Sequence, residues 1–171
     1  MKLLKTFLVI FSLLIITPQA YADSIGGKSI RAIANSDIKT ASGIFENQTI
    51  LMKRLPDRSG YNKDKKGIPV TGTFVAYLAK NGQILIWSKD SSKVITGIWA
   101  IVNTKENKPR MMFCMRFSKN KEKVPCMLMK YIDGVFFDSE KGNIFNLRKG
   151  ASVPAPLPYS RNLSTIRNKI K

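Results

Sequence analysis

Residues 70–88 read VTGTFVAYLAK-NG-QILIWS. Two apolar runs rich in β-branched and aromatic residues flank Asn81-Gly82. An Asn-Gly dipeptide between such runs is a strong hairpin signal, because a type I′ turn needs positive φ at both central residues. Repetition of that unit decides the fold. Downstream, the loop Lys89 to Lys93 leads into a strand over Val94 to Asn103, and Thr104 to Pro109 leads into Arg110 to Phe117. A hairpin tip at Ser118 to Pro125 precedes Cys126 to Ile132, Asp133-Gly134 turns into Val135 to Asp138, and Lys141-Gly142 turns into Asn143 to Arg148. Upstream, Thr49 to Leu55 reads as a strand, followed by a hydrophilic loop from Pro56 to Ile68. Before it, residues 36–45 (SDIKTASGIF) predict a short helix capped by Asn35 or Ser36, with Ile38, Ala41 and Phe45 on one stripe. The expected fold is therefore mainly β: an antiparallel meander forming a small barrel or strongly curved sheet, with a short N-terminal helix. Seven or so twisted strands with one bulky face tend to curl in this way, which removes exposed edges.

Residues directly opposite one another across a strand pair share a face of the sheet. A two-residue turn at Asn81-Gly82 pairs Leu78 with Leu85, and a symmetric next loop pairs Trp87 with Ile95. Parity then collects Phe74, Leu78, Leu85, Trp87, Ile95, Trp99, Ile101, Met111, Phe113, Met115, Phe117, Met127, Met129 and Tyr131 on one interior face. Cys114, Arg116 and Lys130 fall on the other, and a bulge at any turn inverts everything downstream of it.

Residues 1–22 read as a secretory signal, with Lys2 and Lys5 in a charged n-region, an apolar stretch from Phe7 to Ile16, and Ala20-Tyr21-Ala22 as the cleavage site. Cleavage at Ala22 leaves Asp23 as the mature N-terminus and a periplasmic or secreted protein. The apolar stretch is far shorter than the ~20 residues of a membrane-spanning helix. In an oxidising compartment Cys114 and Cys126, the only cysteines, are expected to pair across the hairpin. The expected organisation is signal peptide 1–22, a single β-rich domain 23–148, and a Pro-rich basic tail 149–171.

The chain of 171 residues has 29 Lys and Arg against 11 Asp and Glu, a net charge of +18, and no histidine. Only two of the lysines leave with the signal, so the excess belongs to the mature protein. Without histidine there is no Ser-His-Asp or Cys-His catalysis and no HExxH zinc site, and two cysteines cannot supply a four-Cys site. Gly26-Gly27-Lys28-Ser29 looks like the end of a phosphate-binding loop, but the required upstream glycine position holds Ala22 and no strand precedes it. The carboxylates Asp133, Asp138 and Glu140 cluster near a turn, with no nucleophile paired to a base. The reading is noncatalytic, with no cofactor and no metal.

Two constellations remain. Lys53, Arg54, Arg58, Lys63, Lys65 and Lys66 gather around one loop, and Lys119, Lys121 and Lys123 alternate along a hairpin tip. Both would attract anionic lipid, lipopolysaccharide or acidic glycan. Sequence-specific nucleic-acid recognition is not expected, because no base-stacking signature or groove-reading helix is visible. A Met- and aromatic-rich interior lined by Trp87, Trp99, Met115 and Met129 is the candidate cavity for a small apolar ligand, against the plainer reading that these side chains fill the core. In the tail, Pro154, Pro156 and Pro158 read as an extended linker. Leu163, Ile166 and Ile170 then alternate with Arg161, Arg167, Lys169 and Lys171 in a short amphipathic segment expected to fray in isolation.

The order of a short helix, a Tyr-x-x-x-Asn-Gly stretch at Tyr77 to Gly82, Gly97-Ile98-Trp99 and paired cysteines resembles a family of small exported bacterial proteins of unknown function. The Gly-x-Trp strand is also similar to that of lipocalin- and avidin-like barrels. The first resemblance implies export and a β-rich domain, and neither carries site residues over. The expected function is noncatalytic binding of an anionic envelope or host-surface component; the alternative is carriage of a small apolar ligand inside the barrel.

Overall fold

The computed structural model describes residues 24–53, 73–89, 91–117, 126–132 and 135–171. The signal segment and its cleavage site lie outside these residues. At the start, β1 (Ser24–Ile25) and β2 (Lys28–Ser29) form a hairpin around Gly26 and Gly27, both at positive φ. The Gly26-Gly27-Lys28-Ser29 stretch is thus the turn and returning strand of a hairpin. Ser29 then caps α1 (Ile30–Ala34) by accepting the Ala32 N–H. A second helix, α2 (Ile38–Phe45), starts at Asp37, one or two residues beyond the predicted caps, with the Asp37 carboxylate accepting from Thr40 N–H at 2.8 Å. The Thr40 hydroxyl, and then its N–H, hold that carboxyl below its ordinary pKa.

The sheet comprises β3 (Gln48–Lys53), β4 (Thr73–Leu78), β5 (Gln83–Ser88), β6 (Ile95–Asn103), β7 (Met111–Arg116), β8 (Cys126–Leu128) and β9 (Phe136–Lys141). From β3 to β8 it is the expected antiparallel meander, with neighbours paired in chain order. After β8 the chain makes a 3-10 turn, Met129–Tyr131, packed against α1, and β9 then pairs with the free edge of β3. The result is a seven-stranded sheet curled into a half-barrel.

Both faces of the central strands are covered. On the concave side Ile50, Met52, Ala76, Leu78, Ile84, Ile86, Trp99, Ile101 and Phe113 meet Ile30 and Ile33 of α1, Ala41 and Phe45 of α2, and Met129 and Ile132. Phe45 is the plug of this core, with its ring 5.2 Å from Phe113 and 5.9 Å from Phe136. On the convex side Leu51, Val75, Leu85 and Trp87 pack against Phe145, Leu147, Leu157, Leu163 and Ile166, the last two on α3 (Leu163–Lys169). The tail is therefore structural, contrary to the expectation that it frays: Leu163 and Ile166 are fully buried. This two-sided burial explains why β3 to β5 read as continuous apolar runs, as buried strands do.

Turn geometry overturns part of the predicted register. Leu78 pairs with Ile84, not Leu85, and the Ala79 N–H donates to the Gln83 carbonyl across a three-residue loop. Only Gly82 takes positive φ there, as in a type I turn with a glycine bulge. Leu85 and Trp87 consequently face the convex side. The next loop shifts by one more residue, pairing Ile86 with Ile95, and this second shift returns Ile95, Trp99, Ile101, Met111, Phe113, Met115, Phe117 and Met127 to the predicted face. Tyr131 is a further correction, since the strand ends at Leu128 and the Tyr131 ring is exposed. No strand forms over 143–148 either. The Asn143 amide brackets Leu147, accepting its N–H and donating to its carbonyl, both at 2.9 Å, and Asn146 turns at positive φ. The Cys114–Cys126 disulfide forms between directly opposed residues, as predicted.

Gly97 lies where β6 and β7 press together. A Cβ there would overlap the Arg116 carbonyl oxygen and the Phe117 ring, whereas one at Gly43 in α2 would meet nothing. Gly97→Ala is expected to lower unfolding free energy by about 1–3 kcal/mol through overpacking, and Gly43→Ala to raise it by about 0.5–1 kcal/mol through helix propensity. Urea denaturation midpoints check both. In the same assay Leu163→Ala should cost about 2–5 kcal/mol, the range for emptying a buried leucine site; a change near zero would mean that α3 is not part of the core.

Candidate functional site

The four residues predicted to line a ligand cavity do not share a surface. Trp99, Met115 and Met129 belong to the concave core, where the Trp99 indole N–H donates to the Ala79 carbonyl and the ring lies against Phe113. Trp87 is on the other face, fully buried, donating to the Ala155 carbonyl and meeting Phe145 edge-on. Phe45 and the two N-terminal helices occupy the space that a ligand inside the curl would need.

The carboxylates hold α3 in place. Asp138 accepts the Leu163 N–H at 2.7 Å, satisfying a donor in the first turn of α3, and Glu140 pairs with Arg167 at 2.8 Å. Asp133 lies outside the described residues.

Of the predicted anion-binding residues, Arg54, Arg58, Lys63, Lys65, Lys66, Lys119, Lys121 and Lys123 lie outside the described residues, while Lys53 lines a pocket of about 320 Å³. The strands build it by parity. Lys53 ends β3 opposite Thr73 at the start of β4, and both lie on the convex side with Leu51 and Val75. Lys89 follows β5 at the same end of the sheet. A bulge between Leu51 and Met52 in the β3–β9 ladder turns Phe136 to the concave core and Phe137 to the convex one, where it forms another wall. The approach to α3 completes the site with Leu157, Pro158, Tyr159 and Arg161. Leu157 is buried as an anchor, whereas Tyr159 is 78% exposed at the mouth. The Arg161 guanidinium lies over the Phe137 ring, 5.1 Å from its centroid.

Among the described residues the lining therefore carries three cations and no carboxylate. The ion pairs among described residues, Arg110–Glu106 and Arg167–Glu140, involve none of these cations. Such a wall attracts anions, and Phe137, Leu157, Pro158 and Tyr159 give it an apolar side. No family model, curated protein or solved structure matches the chain.

Of the three lining cations only Lys53 belongs to the basic clusters visible in the sequence. Lys89 is legible as the first charge after the apolar strand Gln83–Ser88. Phe137 needed the bulge, and Leu157 to Arg161 needed the docking of a segment read as a linker. Like charges lining one pocket make a simple prediction. Lys89→Gln should raise the denaturation midpoint in low salt and leave it unchanged near 1 M salt, where the screening length is about 3 Å; an increase that persists in high salt would point to a different cause.

Proposed function

We propose that the protein is a noncatalytic, exported binding protein whose cationic surface engages an anionic component of the cell envelope or of a host surface. The observation that carries this reading is the convex-face pocket, whose described lining includes Lys53, Lys89 and Arg161, on a chain with net charge +18. A charge excess of this size weakens the compact state by self-repulsion and steers the molecule toward anionic surfaces. Near such a membrane each Lys or Arg contributes about 1 kcal/mol of attraction, fading over a screening length. Anionic lipid, lipopolysaccharide and acidic glycan all present the required charge. Carriage of a small apolar ligand inside the half-barrel has weaker support, because Phe45, Met129 and Ile132 fill the concavity. A lipocalin- or avidin-like kinship rests on the curved sheet and on Gly97-Ile98-Trp99. There, the structural role of Gly97 is to let β7 approach.

Cosedimentation with vesicles tests the proposal. The mature protein should pellet with vesicles containing phosphatidylglycerol, release as salt rises from about 50 to 500 mM, and ignore neutral phosphatidylcholine. Equal retention by neutral and anionic vesicles would overturn it. Parallel titrations with lipopolysaccharide and an acidic glycan rank the candidate partners.

A further inference from the structure

The convex-face pocket has a more specific chemistry than general attraction to anions. Its cations are of two kinds and stand on three separate segments. Lys53 and Lys89 bring compact ammonium charges from strand ends, and Arg161 brings a planar guanidinium from the covering segment. Its carbon lies over the Phe137 ring, 5.1 Å from the centroid, a cation–π contact that uses none of its N–H donors, and a guanidinium's planar fork suits a two-pronged hold on an oxyanion. Three positive groups match a terminal phosphate, which carries close to two negative charges and three acceptor oxygens, better than a carboxylate or a phosphodiester with one. Thr73 adds a hydroxyl to the same wall.

The rest of the lining speaks to what the phosphate is attached to. Phe137, Leu157, Pro158 and Tyr159 offer apolar surface that a free, strongly hydrated inorganic ion would leave unused. Tyr159, at 78% exposure, places an aromatic ring with a polar tip at the mouth, the kind of side chain that sits well where an apolar group meets water. The volume of about 320 Å³ is at the small end of ligand sites, which run from roughly 300 to 1,000 Å³. It takes a head group and its first substituent, not a whole amphiphile.

We propose that the pocket formed by Lys53, Thr73, Lys89, Phe137, Tyr159 and Arg161 binds a phosphate monoester carried on an apolar group. This deepens the proposed function and rests on it in one respect: the pocket is taken to serve an anionic partner. A lipid phosphate headgroup and a soluble phosphate ester share this chemistry.

Calorimetric titration of the mature protein with naphthyl phosphate, its methyl diester and inorganic phosphate tests the site. The monoester should bind about tenfold or more tightly than either comparator. Arg161→Gln and Lys89→Gln should each lower its affinity by about tenfold, and Arg161→Lys, which keeps the charge without the fork, should restore only part of the loss. The double variant Lys105→Gln/Lys108→Gln removes two exposed charges from the β6–β7 loop at the opposite end of the sheet and should leave the affinity unchanged. Equal binding of monoester and diester, or equal losses in the pocket and loop variants, would overturn the proposal. If vesicle binding survives that result, the surface reading stands without the pocket; loss of vesicle binding with naphthyl phosphate still bound removes the surface reading and leaves the pocket. Vesicles containing phosphatidic acid or phosphatidylglycerol, matched in surface potential, identify the source: preference for phosphatidic acid means a lipid headgroup, and equal binding means a soluble ester.

Discussion

The Trp87 indole donates its N–H to the Ala155 carbonyl at 2.9 Å and packs edge-on against Phe145, 5.2 Å between ring centroids. This contact fixes the Pro-rich segment across the convex face of the sheet. A buried indole without a hydrogen-bond partner is costly, and so is an uncovered apolar sheet face. One segment answers both demands. It brings Leu157 onto the face and carries the chain to Asn162, whose side chain caps α3 through the Thr165 N–H. Without it the strand ends that bear Lys53 and Lys89 would have no apolar roof.

The scarce acids are placed with similar economy. Asp37 caps α2, Asp138 receives the first N–H of α3, Glu140 holds Arg167, and Glu106 pairs with Arg110. They serve helix ends and local pairs, and none of these four is among the described lining residues of the pocket. Two of these contacts, those of Asp138 and Glu140, tie α3 to β9 on the sheet edge. Burial of Leu163 and Ile166 and the hydrogen bond from Leu163 to Asp138 therefore carry the attachment of the tail, while the solvent-screened pairs Glu140–Arg167 and Arg110–Glu106 contribute little to stability.

Legibility differed from element to element for identifiable reasons. The meander and the disulfide followed from turn dipeptides and alternation, which are local properties. The face of Trp87 did not, because it hangs on whether a turn has two or three residues, and Asn-Gly serves either geometry. Phe136 and Phe137 illustrate the same limit: adjacent strand residues alternate between faces, but which of the two enters which core depends on the bulge opposite Leu51 and Met52. The segment over 143–148 looked like a strand because Ile144, Phe145 and Leu147 are apolar, yet Asn143 and the positive φ of Asn146 close it into a loop.

The sequence by itself determined the antiparallel β framework, the pairing of Cys114 with Cys126, the strongly cationic character, and the exclusion of histidine chemistry. These follow from composition and short-range pattern, which act over a few residues. Tertiary structure decided that the concavity is filled by Phe45 and its helices, that the tail forms a second core, and that Lys53, Lys89 and Arg161 line one pocket with Phe137. That pocket joins positions far apart in the chain through a bulge and a docked segment. Both are set by the burial of apolar area against distant partners, a free energy that no local stretch of sequence contains.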